Sequence, residues 1–443
     1  MRFTKFGKAL LVGAASMGVI LGVASCVESY TVGFLYVTGT VTSQPSGSGI
    51  ISGFKIDHNT GDLKPINGLP ISSGGANPVR AVLITGSRFF YVLNKGVNSA
   101  GNGNCTTADP CKNSNITQFA VGGAGILTPE ETFFTQGINP IRLIGDTSGN
   151  YLFVLDHDAP SSQGCKLALG GNVSSCGDIT VFQINPTTGR LQLVLNAQIT
   201  LPSGAALPYF PVPANPIDFA LSSGFIETVS GTPSTGDSSF PYTYNPNNGQ
   251  LTVNQNASQA LNAHEATAAV ATSGFMYVLD NEPVTQSING QTITSQSQIL
   301  PFTVGTNGSL QAEVGGAVPD DPTEANPTQL LVESKNKWLY VSNQGDNNTS
   351  TGNAQSGITG YVIDPSQHTL SFIAGEPFGS GAGPQCIVED PSDQFIYTAN
   401  YYDSTVTGKV LDQNSGVLND LVKNSSYALT GPATWCVVNG RTD

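Results

Sequence analysis

Histidine is the side chain best suited to acid–base catalysis near neutral pH, and this chain of 443 residues has only four. His264 and Glu265 stand together at the start of an apolar strand, and we take them as the best candidates for a catalytic base or acid. A hydrogen-bonded histidine at the rim of a site is the alternative. His157 lies between Asp156 and Asp158, whose negative charges favour a protonated, substrate-binding ring. A solvated loop cluster is the alternative there.

Two arginines, Arg80 and Arg142, occupy the same position in neighbouring repeats of the sequence. Because a guanidinium donates paired hydrogen bonds, this placement predicts a clamp for a carboxylate or an oxyanion. A structural ion pair with Asp218, at the same position in the next repeat, is the alternative. Asn94, at the end of a strand, joins His157 and its neighbours as a candidate for substrate binding.

Other chemistry is not indicated, and no cofactor or metal is expected. The cysteines and histidines form no zinc-binding pattern. His264 and Glu265 begin a HExxH-like stretch, but the second histidine is missing and a strand does not supply the helical spacing that the motif needs. No GxSxG nucleophile elbow is found.

Seven repeats position these candidates. Six repeats open with Asn-Pro or Gly-Pro, and His264 takes that place in the seventh; the prolines are Pro78, Pro140, Pro216, Pro327, Pro384 and Pro432. Each opening leads into an apolar strand, an aromatic-aliphatic second strand, a third strand, a glycine-bearing turn and a fourth strand. Four antiparallel strands in each of seven repeats predict an all-β, seven-bladed β-propeller.

The two ends of the chain are expected to complete one blade. The last repeat stops after one strand at 433–438, and a second strand, Phe34 to Val37, begins the propeller. Pairing of these strands closes the ring and removes exposed sheet edges. We therefore place the propeller at 34–443. The long insertions all fall on one face, the top, where loops on a rigid scaffold carry binding groups; they are 95–114, 159–177, 198–214, 283–296, 316–325 and 344–356.

The first 25 residues have the pattern of an export signal: a basic start, an apolar stretch and Val23-Ala24-Ser25-Cys26. That ending resembles the lipobox of bacterial lipoproteins, in which the cysteine is lipidated. We expect lipidation at Cys26, a short tether over 26–33, and a monomer anchored in the cell envelope by its lipid, at the outer membrane in a Gram-negative cell. Secretion with cleavage near Ser25 is the alternative.

The other six cysteines predict disulfides, since their number is even and the chain is expected to be exported. Cys105 with Cys111 and Cys165 with Cys176 each close a short polar loop. Cys386 with Cys436 would join neighbouring repeats. The net charge is −14, with 17 basic against 31 acidic residues, which argues against nucleic acid as a partner and against a strongly anionic substrate.

The sequence of the repeats, for example Leu339 to Asp346 and Thr407 to Leu418, resembles that of the lactonase family of seven-bladed propellers, which includes 6-phosphogluconolactonase. The resemblance implies hydrolysis of a small lactone at the channel mouth, with catalysis by His264, Glu265, Arg80 and Arg142. The histidine that often follows the opening proline in that family is absent here. A non-catalytic propeller that binds a glycan or a protein at its top face is the alternative.

Overall fold

The structure is a computed structural model that describes residues 30–41, 47–84, 88–222, 224–254, 258–272, 274–288, 291–313, 315–346 and 355–440. The predicted signal and Cys26 lie outside these residues, so lipidation stays a prediction. Within the described ranges, no helix is long and apolar enough to cross a membrane. The first strand begins at Thr31, a few residues before the expected start of the propeller.

Seven antiparallel sheets surround a central channel, which confirms the predicted seven-bladed propeller. Blade 1 contains β1 (Thr31–Thr40), β2 (Ser48–Asp57), β3 (Leu63–Pro65) and β4 (Ile71–Ala76). Blade 2 contains β5 (Pro78–Leu83), β6 (Phe89–Asn94), β7 (Asn115–Val121) and β8 (Leu127–Phe133). Blade 3 contains β9 (Ile138–Gly145), β10 (Tyr151–Asp158), β11 (Gly177–Ile184), β12 (Leu191–Leu193) and, further along the chain, β15 (Phe210–Val212).

The remaining blades repeat this order. Blade 4 contains β16 (Pro216–Ser222), β17 (Phe225–Thr232), β18 (Gly236–Tyr244), β19 (Leu251–Val253) and β20 (Gln259–Ala260). Blade 5 contains β21 (Ala266–Thr272), β22 (Phe275–Asp280), β25 (Gln298–Val304), β26 (Leu310–Ala312) and β27 (Val318–Pro319). Blade 6 contains β28 (Pro327–Val332), β29 (Trp338–Asn343), β30 (Gly357–Ile363), β31 (Leu370–Phe372) and β32 (Phe378–Gly379).

Blade 7 contains β33 (Pro384–Glu389), β34 (Phe395–Asn400), β35 (Thr405–Leu411), β36 (Leu418–Asp420) and β37 (Ser426–Ala428). The last strand, β38 (Ala433–Gly440), returns to blade 1 and pairs with β1. The N- and C-terminal strands therefore share one blade, as predicted, and their pairing closes the ring.

Six blades have one more short strand than the four expected. In these blades the outer strand is broken into two segments that both pair with the third strand, as β3 and β4 pair with β2. The residue after the first segment bends inward to bond with that strand: Ile66 N–H donates to Gly53 and Ile373 N–H donates to Gly360. A bend of this kind interrupts the ladder and divides the edge in two.

Three of the predicted insertions have secondary structure of their own. The short helix α1 (Ser162–Leu169) lies between β10 and β11 and is capped by the Ser161 hydroxyl, which accepts from the Gln163 N–H at 3.2 Å. Two small hairpins form in the others: β13 (Asn196–Thr200) with β14 (Ala206–Leu207), and β23 (Val284–Ile288) with β24 (Gln291–Ser295).

Apolar side chains of the second strands alternate between the two faces of each blade and fill the spaces between blades. On β1, Leu35 and Val37 pack towards blade 7, whereas Phe34 and Tyr36 pack towards blade 2. Both faces of a blade are therefore buried. This explains why the second strands are nearly continuous apolar runs in the sequence.

A repeated hydrogen bond joins five of the blades to the next blade. A buried tyrosine in the second strand donates its hydroxyl to a main-chain carbonyl in the turn before the fourth strand of the neighbour; we call these contacts the interblade clamps. The pairs are Tyr36 with Gly125 (2.7 Å), Tyr91 with Gly189, Tyr277 with His368 (3.4 Å), Tyr340 with Gly416 (2.7 Å) and Tyr397 with Gly61 (2.7 Å).

Four of the five turns have glycine at this position, where the turn closely approaches the preceding blade. A Cβ at Gly416 would lie 2.7 Å from the Trp338 ring, and one at Gly189 would lie 2.5 Å from Phe89. Both glycines also have positive φ, 76° and 69°. In blade 6, His368 takes the glycine's place and stacks on Phe275 at 3.3 Å between ring centroids. The His368 side chain is therefore partly buried.

Two blades lack the tyrosine. Phe153 occupies the position in blade 3, and Glu227 occupies it in blade 4, where Glu227 pairs with Pro241 as Tyr277 pairs with Pro301. Glu227 is fully buried, and neither carboxyl oxygen has a hydrogen-bond partner among the described residues. Burial raises the pKa of Glu227 to about 8.

We predict that Tyr397→Phe lowers the free energy of unfolding by about 1–2 kcal/mol, because the Gly61 carbonyl is left without its donor. Urea unfolding of the full chain measures the change. Tyr401→Phe is the control, since that side chain is 40% exposed and belongs to no clamp. Equal stability of Tyr397→Phe and the wild type would show that the clamps contribute nothing.

Glu227 predicts a specific dependence of stability on pH. Its pKa is about 4.3 in the unfolded chain and about 8 in the fold, so the folded state loses stability as the pH rises between these values, at about 1.4 kcal/mol per pKa unit. Glu227→Gln should remove this loss and raise the urea midpoint at pH 8 more than at pH 5. The exposed Glu130→Gln should change neither midpoint, and an unchanged pH dependence in Glu227→Gln would contradict the assignment.

Candidate functional site

The channel wall is formed by the first strand of each blade: β5, β9, β16, β21, β28, β33 and β38. Each of these strands contacts the next around the ring. The channel has two chambers. We call the one at the beginnings of the first strands the upper chamber and the one at their ends the lower chamber. The upper chamber is polar and the lower one is apolar, because side chains of different character follow each other along the same strands.

The upper chamber has a volume of about 520 Å³, which suits a small-molecule ligand. Its wall combines three cations with amide, hydroxyl and aromatic groups from five blades. The polar and aromatic lining residues are Asn77, Arg80, Lys95, Asn104, Arg142, Gln344, Gln385, Tyr401 and Thr434. The two arginines predicted to act together are thus in one chamber.

Arg142 is held in place by contacts with two other blades. Its Nε donates to Asp218 Oδ1 at 2.9 Å, and its Nη2 donates to the Thr267 carbonyl at 3.1 Å. The Asp218 carboxylate also accepts from the Phe219 and Ala269 N–H groups. The ion pair named above as a structural alternative is therefore formed. A guanidinium has five N–H donors, so Arg142 keeps donors for a ligand beyond its bonds to Asp218, Thr267 and the Ile141 carbonyl.

Arg80 has no carboxylate within ion-pair distance among the described residues. Its guanidinium lies over the Trp435 ring, 3.6 Å from the centroid, and Nη1 donates to the Val79 carbonyl at 3.0 Å. Trp435 is itself fixed by a bond from Nε1 to the Ala81 carbonyl. Burial, together with the positive charge of Arg142, lowers the pKa of Arg80. An anion in the chamber would relieve this repulsion.

Lys95 is the third cation and was not found from the sequence. It directly follows Asn94 at the end of β6, which is the one signal that could have indicated it. Its main chain is fixed on both sides, by a bond from the Lys95 N–H to the Asn77 carbonyl at 2.9 Å and from Ser114 Oγ to the Lys95 carbonyl at 2.6 Å. Burial and the nearby Arg142 lower the pKa of Lys95.

His264 and Glu265 do not line the upper chamber. The His264 side chain is 50% exposed, and its Nδ1 lies 2.8 Å from Glu282 Oε2. This contact raises the pKa of His264. Glu265 is exposed and is bonded through its N–H to Asp280 Oδ1 at 2.9 Å. The structure therefore separates this pair from Arg80 and Arg142, and its catalytic role stays a prediction.

Asn94 and Asp156, two of the candidates for substrate binding, are buried inside their blades, and their role in binding stays a prediction. Asn94 accepts from Ser73 Oγ at 2.7 Å and donates to Asn115 Oδ1 at 2.9 Å. Asp156 pairs directly with Asp178 across β10 and β11. Burial raises the pKa of Asp156 to about 8, and burial together with the Asp156 charge raises the pKa of Asp178.

Asp158 anchors a loop instead of facing the chamber. It accepts from Asn139 Nδ2 at 2.8 Å and from Thr107 Oγ1 at 2.7 Å, and His157 Nδ1 lies 3.1 Å from its Oδ2. These donors lower the pKa of Asp158. A role for His157 and its two neighbours in substrate binding stays a prediction.

The three predicted disulfides are formed: Cys105 with Cys111, Cys165 with Cys176, and Cys386 with Cys436. The first closes the loop whose preceding residues, Gly103 and Asn104, line the upper chamber. The third joins the first strands of blades 7 and 1 within the channel wall. Disulfides thus fix both the wall and part of the rim. In the described part of the chain, no cluster of three or more His, Cys, Asp or Glu side chains is arranged to hold a metal.

Fold and site together define a seven-bladed β-propeller whose channel holds a cationic chamber of ligand size. The sequence model of a family described as "Lactonase, 7-bladed beta-propeller" matches residues 297–438. Over these residues, about a third of the chain, the sequence is similar to that family, in agreement with the resemblance seen in its repeats.

Known structures agree with this architecture. A putative 6-phosphogluconolactonase from Bacteroides fragilis is similar with a TM-score of 0.63 and 17% identity, over 94% of this chain and 99% of that one. The periplasmic gluconolactonase of Pseudomonas aeruginosa is similar with a TM-score of 0.61 and 16% identity, over 93% of this chain and 100% of that one. At such identities the similarity establishes the shared fold.

One curated relative also matches part of the chain. It is the hydrazine synthase subunit beta of Kuenenia stuttgartiensis, 23% identical over 141 residues. The match spans 28% of this chain and about a third, 34%, of that subunit.

The facing Asp156 and Asp178 predict a further effect on stability. Because their folded pKa values lie above those of the unfolded chain, the fold loses stability as the pH rises from about 4 towards 8. Asp156→Asn should raise the urea midpoint at pH 8 relative to the wild type. Asp158→Asn should have the opposite sign at neutral pH, since the lowered pKa of Asp158 marks a stabilising charge. A lower midpoint for Asp156→Asn at pH 8 would contradict the conclusion that the charged Asp156 destabilises the fold.

Proposed function

We propose that the protein hydrolyses a lactone in the upper chamber of the channel. The observation that carries the proposal is the convergence of Arg80 and Arg142, from neighbouring blades, on one cavity of about 520 Å³. The lactonase-like character of the propeller supports it. In lactone hydrolysis, negative charge develops on the carbonyl oxygen and then rests on the carboxylate product. Two guanidinium groups at one chamber stabilise both species.

The other lining groups favour a hydroxylated lactone, such as a sugar lactone. Asn77, Asn104, Gln344 and Gln385 carry amides that both donate and accept hydrogen bonds, as sugar hydroxyls require. The ring of Tyr401 adds an apolar surface at the same chamber. The net charge of −14 argued against an anionic substrate, but the chamber has three cations and is locally positive.

The proposal places the reaction outside the cytoplasm. Three disulfides within one chain are typical of an oxidising compartment. A structure of the same fold is that of a periplasmic gluconolactonase. Attachment to the envelope through a lipidated Cys26 is part of the proposal.

A second candidate function is binding without catalysis. No histidine and no carboxylate is among the described residues that line the chamber, so the usual groups that activate water are missing there. In that case Arg80, Lys95 and Arg142 would hold the carboxylate of an acidic sugar or of another anionic ligand without turnover.

Turnover of a lactone panel by the purified full chain separates the two candidates. Sugar lactones and aliphatic lactones are offered, and acid release is followed with a pH indicator. We expect turnover of a sugar lactone, and we expect Arg80→Gln to lower kcat/KM by about 100-fold or more, the size seen when one oxyanion-stabilising group is removed.

The matched control is Arg88→Gln, which removes an exposed arginine outside the chamber. Arg142→Gln is measured together with its urea midpoint, because Arg142 also joins three blades. Absence of turnover with every lactone, combined with tight binding of a sugar acid that Arg80→Gln abolishes, would favour the binding function. Full activity of Arg80→Gln would contradict the proposed site.

A further inference from the structure

The upper chamber has groups to stabilise an oxyanion but lacks the usual base. Water must lose a proton as it attacks a lactone carbonyl, and a base in contact with that water lowers the barrier. Asp218 does not line the chamber, and its carboxylate accepts hydrogen bonds from Arg142, Phe219 and Ala269. His264 is bound to Glu282 outside the chamber.

Among the described residues that line the chamber, Lys95 carries the one amine. Arginine does not lose its proton in proteins, and the amides of Asn and Gln are not bases. The ammonium of Lys95 has no hydrogen-bond or ion-pair partner among the described residues, although it lies in the same cavity as Arg80 and Arg142. Lys95 is partly buried beside a second cation, and this arrangement lowers the pKa of an amine and makes it more readily available as a base.

The groups around Lys95 favour its neutral amine over its ammonium form. The charged and titratable groups that share its chamber are Arg80, Arg142 and Tyr401, with Asp218 behind Arg142. The positive charges disfavour the ammonium form, and the one carboxylate is neutralised by Arg142. The direction of the pKa of Lys95, below its usual range, agrees with this geometry.

We infer that Lys95 is the general base of the proposed lactone hydrolysis, an inference that rests on the proposed function. The neutral amine takes a proton from the attacking water while the water oxygen bonds to the lactone carbonyl carbon. Arg80 and Arg142 stabilise the oxyanion. The ring C–O bond then breaks, and the Lys95 ammonium returns its proton to the alkoxide that leaves. The products are a hydroxyl group and a carboxylic acid, which ionises.

The test compares three substitutions of Lys95 in the full chain on the best lactone of the panel. Lys95→Arg keeps the positive charge but cannot accept a proton, and Lys95→Met keeps the length without charge. We expect Lys95→Arg to keep KM within about threefold while kcat falls about 100-fold, within the range of a general base. We expect Lys95→Ala to regain turnover when methylamine or ethylamine is added, in proportion to the concentration of free amine.

Lys112→Met is the matched control, since Lys112 is an exposed lysine of the same loop and does not line the chamber. Its kcat should equal that of the wild type. If the wild type turns over a lactone and Lys95→Arg retains its kcat, Lys95 acts only through its charge and the inference is overturned. If amines fail to rescue Lys95→Ala, it is overturned as well. If the wild type turns over no lactone, the proposed function itself fails, which is a different result.

Discussion

The interblade clamps are the constraint on which the site depends. A propeller blade has two buried faces, and the hydrophobic effect that buries them is not directional, so it specifies the alignment of neighbouring blades less sharply than a hydrogen bond does. A buried hydroxyl that must meet one carbonyl removes this freedom, because an unmatched donor and acceptor in a dry interface are costly. The Tyr91 clamp joins blade 2 to blade 3, the blades that carry Arg80 and Arg142. Because the clamp holds these two blades in a fixed position relative to each other, it also fixes the spacing of the two guanidinium groups.

Arg142 both joins neighbouring blades through hydrogen bonds and lines the upper chamber. The interfaces of blade 3 with blade 4 and of blade 4 with blade 5 lack the hydroxyl, because Phe153 and Glu227 replace tyrosine there. These are the interfaces that the Arg142 network crosses: Asp218 belongs to blade 4, and Thr267 and Ala269 belong to blade 5. Polar bonds beside the channel replace the missing clamps. The arginine position therefore belongs to the scaffold even before a ligand is considered.

The fold could be predicted from the sequence because its determinants are local and repeated. Prolines before first strands, aromatic runs in second strands and glycines in turns recur in each repeat, and the Cys105 and Cys165 disulfides close loops of a few residues. The outer strand is an exception. The outer strand is divided in two because residues such as Ile66 bend towards the third strand. No residue type or motif in the sequence indicates where this bend occurs.

The site was predicted only in part, because whether a side chain belongs to it depends on its burial and on its hydrogen-bond partners in the fold. Arg80 and Arg142 were found because they occupy a repeated position. Asn94 and Asp156 occupy one too, but their side chains are buried. Lys95 lies just outside the repeat, and its importance comes from the fold of a loop that ends in the Cys105–Cys111 disulfide. Neighbouring sequence does not reveal that its ammonium shares a cavity with two guanidinium groups.

Net charge and local charge have opposite signs in this protein, and the distance over which each acts decides which matters. At physiological ionic strength the acidic surface is screened over about 8 Å, so it governs solubility and non-specific association. A ligand inside the channel is in contact with Arg80, Lys95 and Arg142, where screening is weak and the local dielectric is low. The lowered pKa values of Arg80 and Lys95 record the cost of burying these cations and of grouping them. A carboxylate formed in the chamber removes that cost, so the same electrostatics that favour ring opening also favour retention of its product, and release of the acid becomes the step that the chamber opposes.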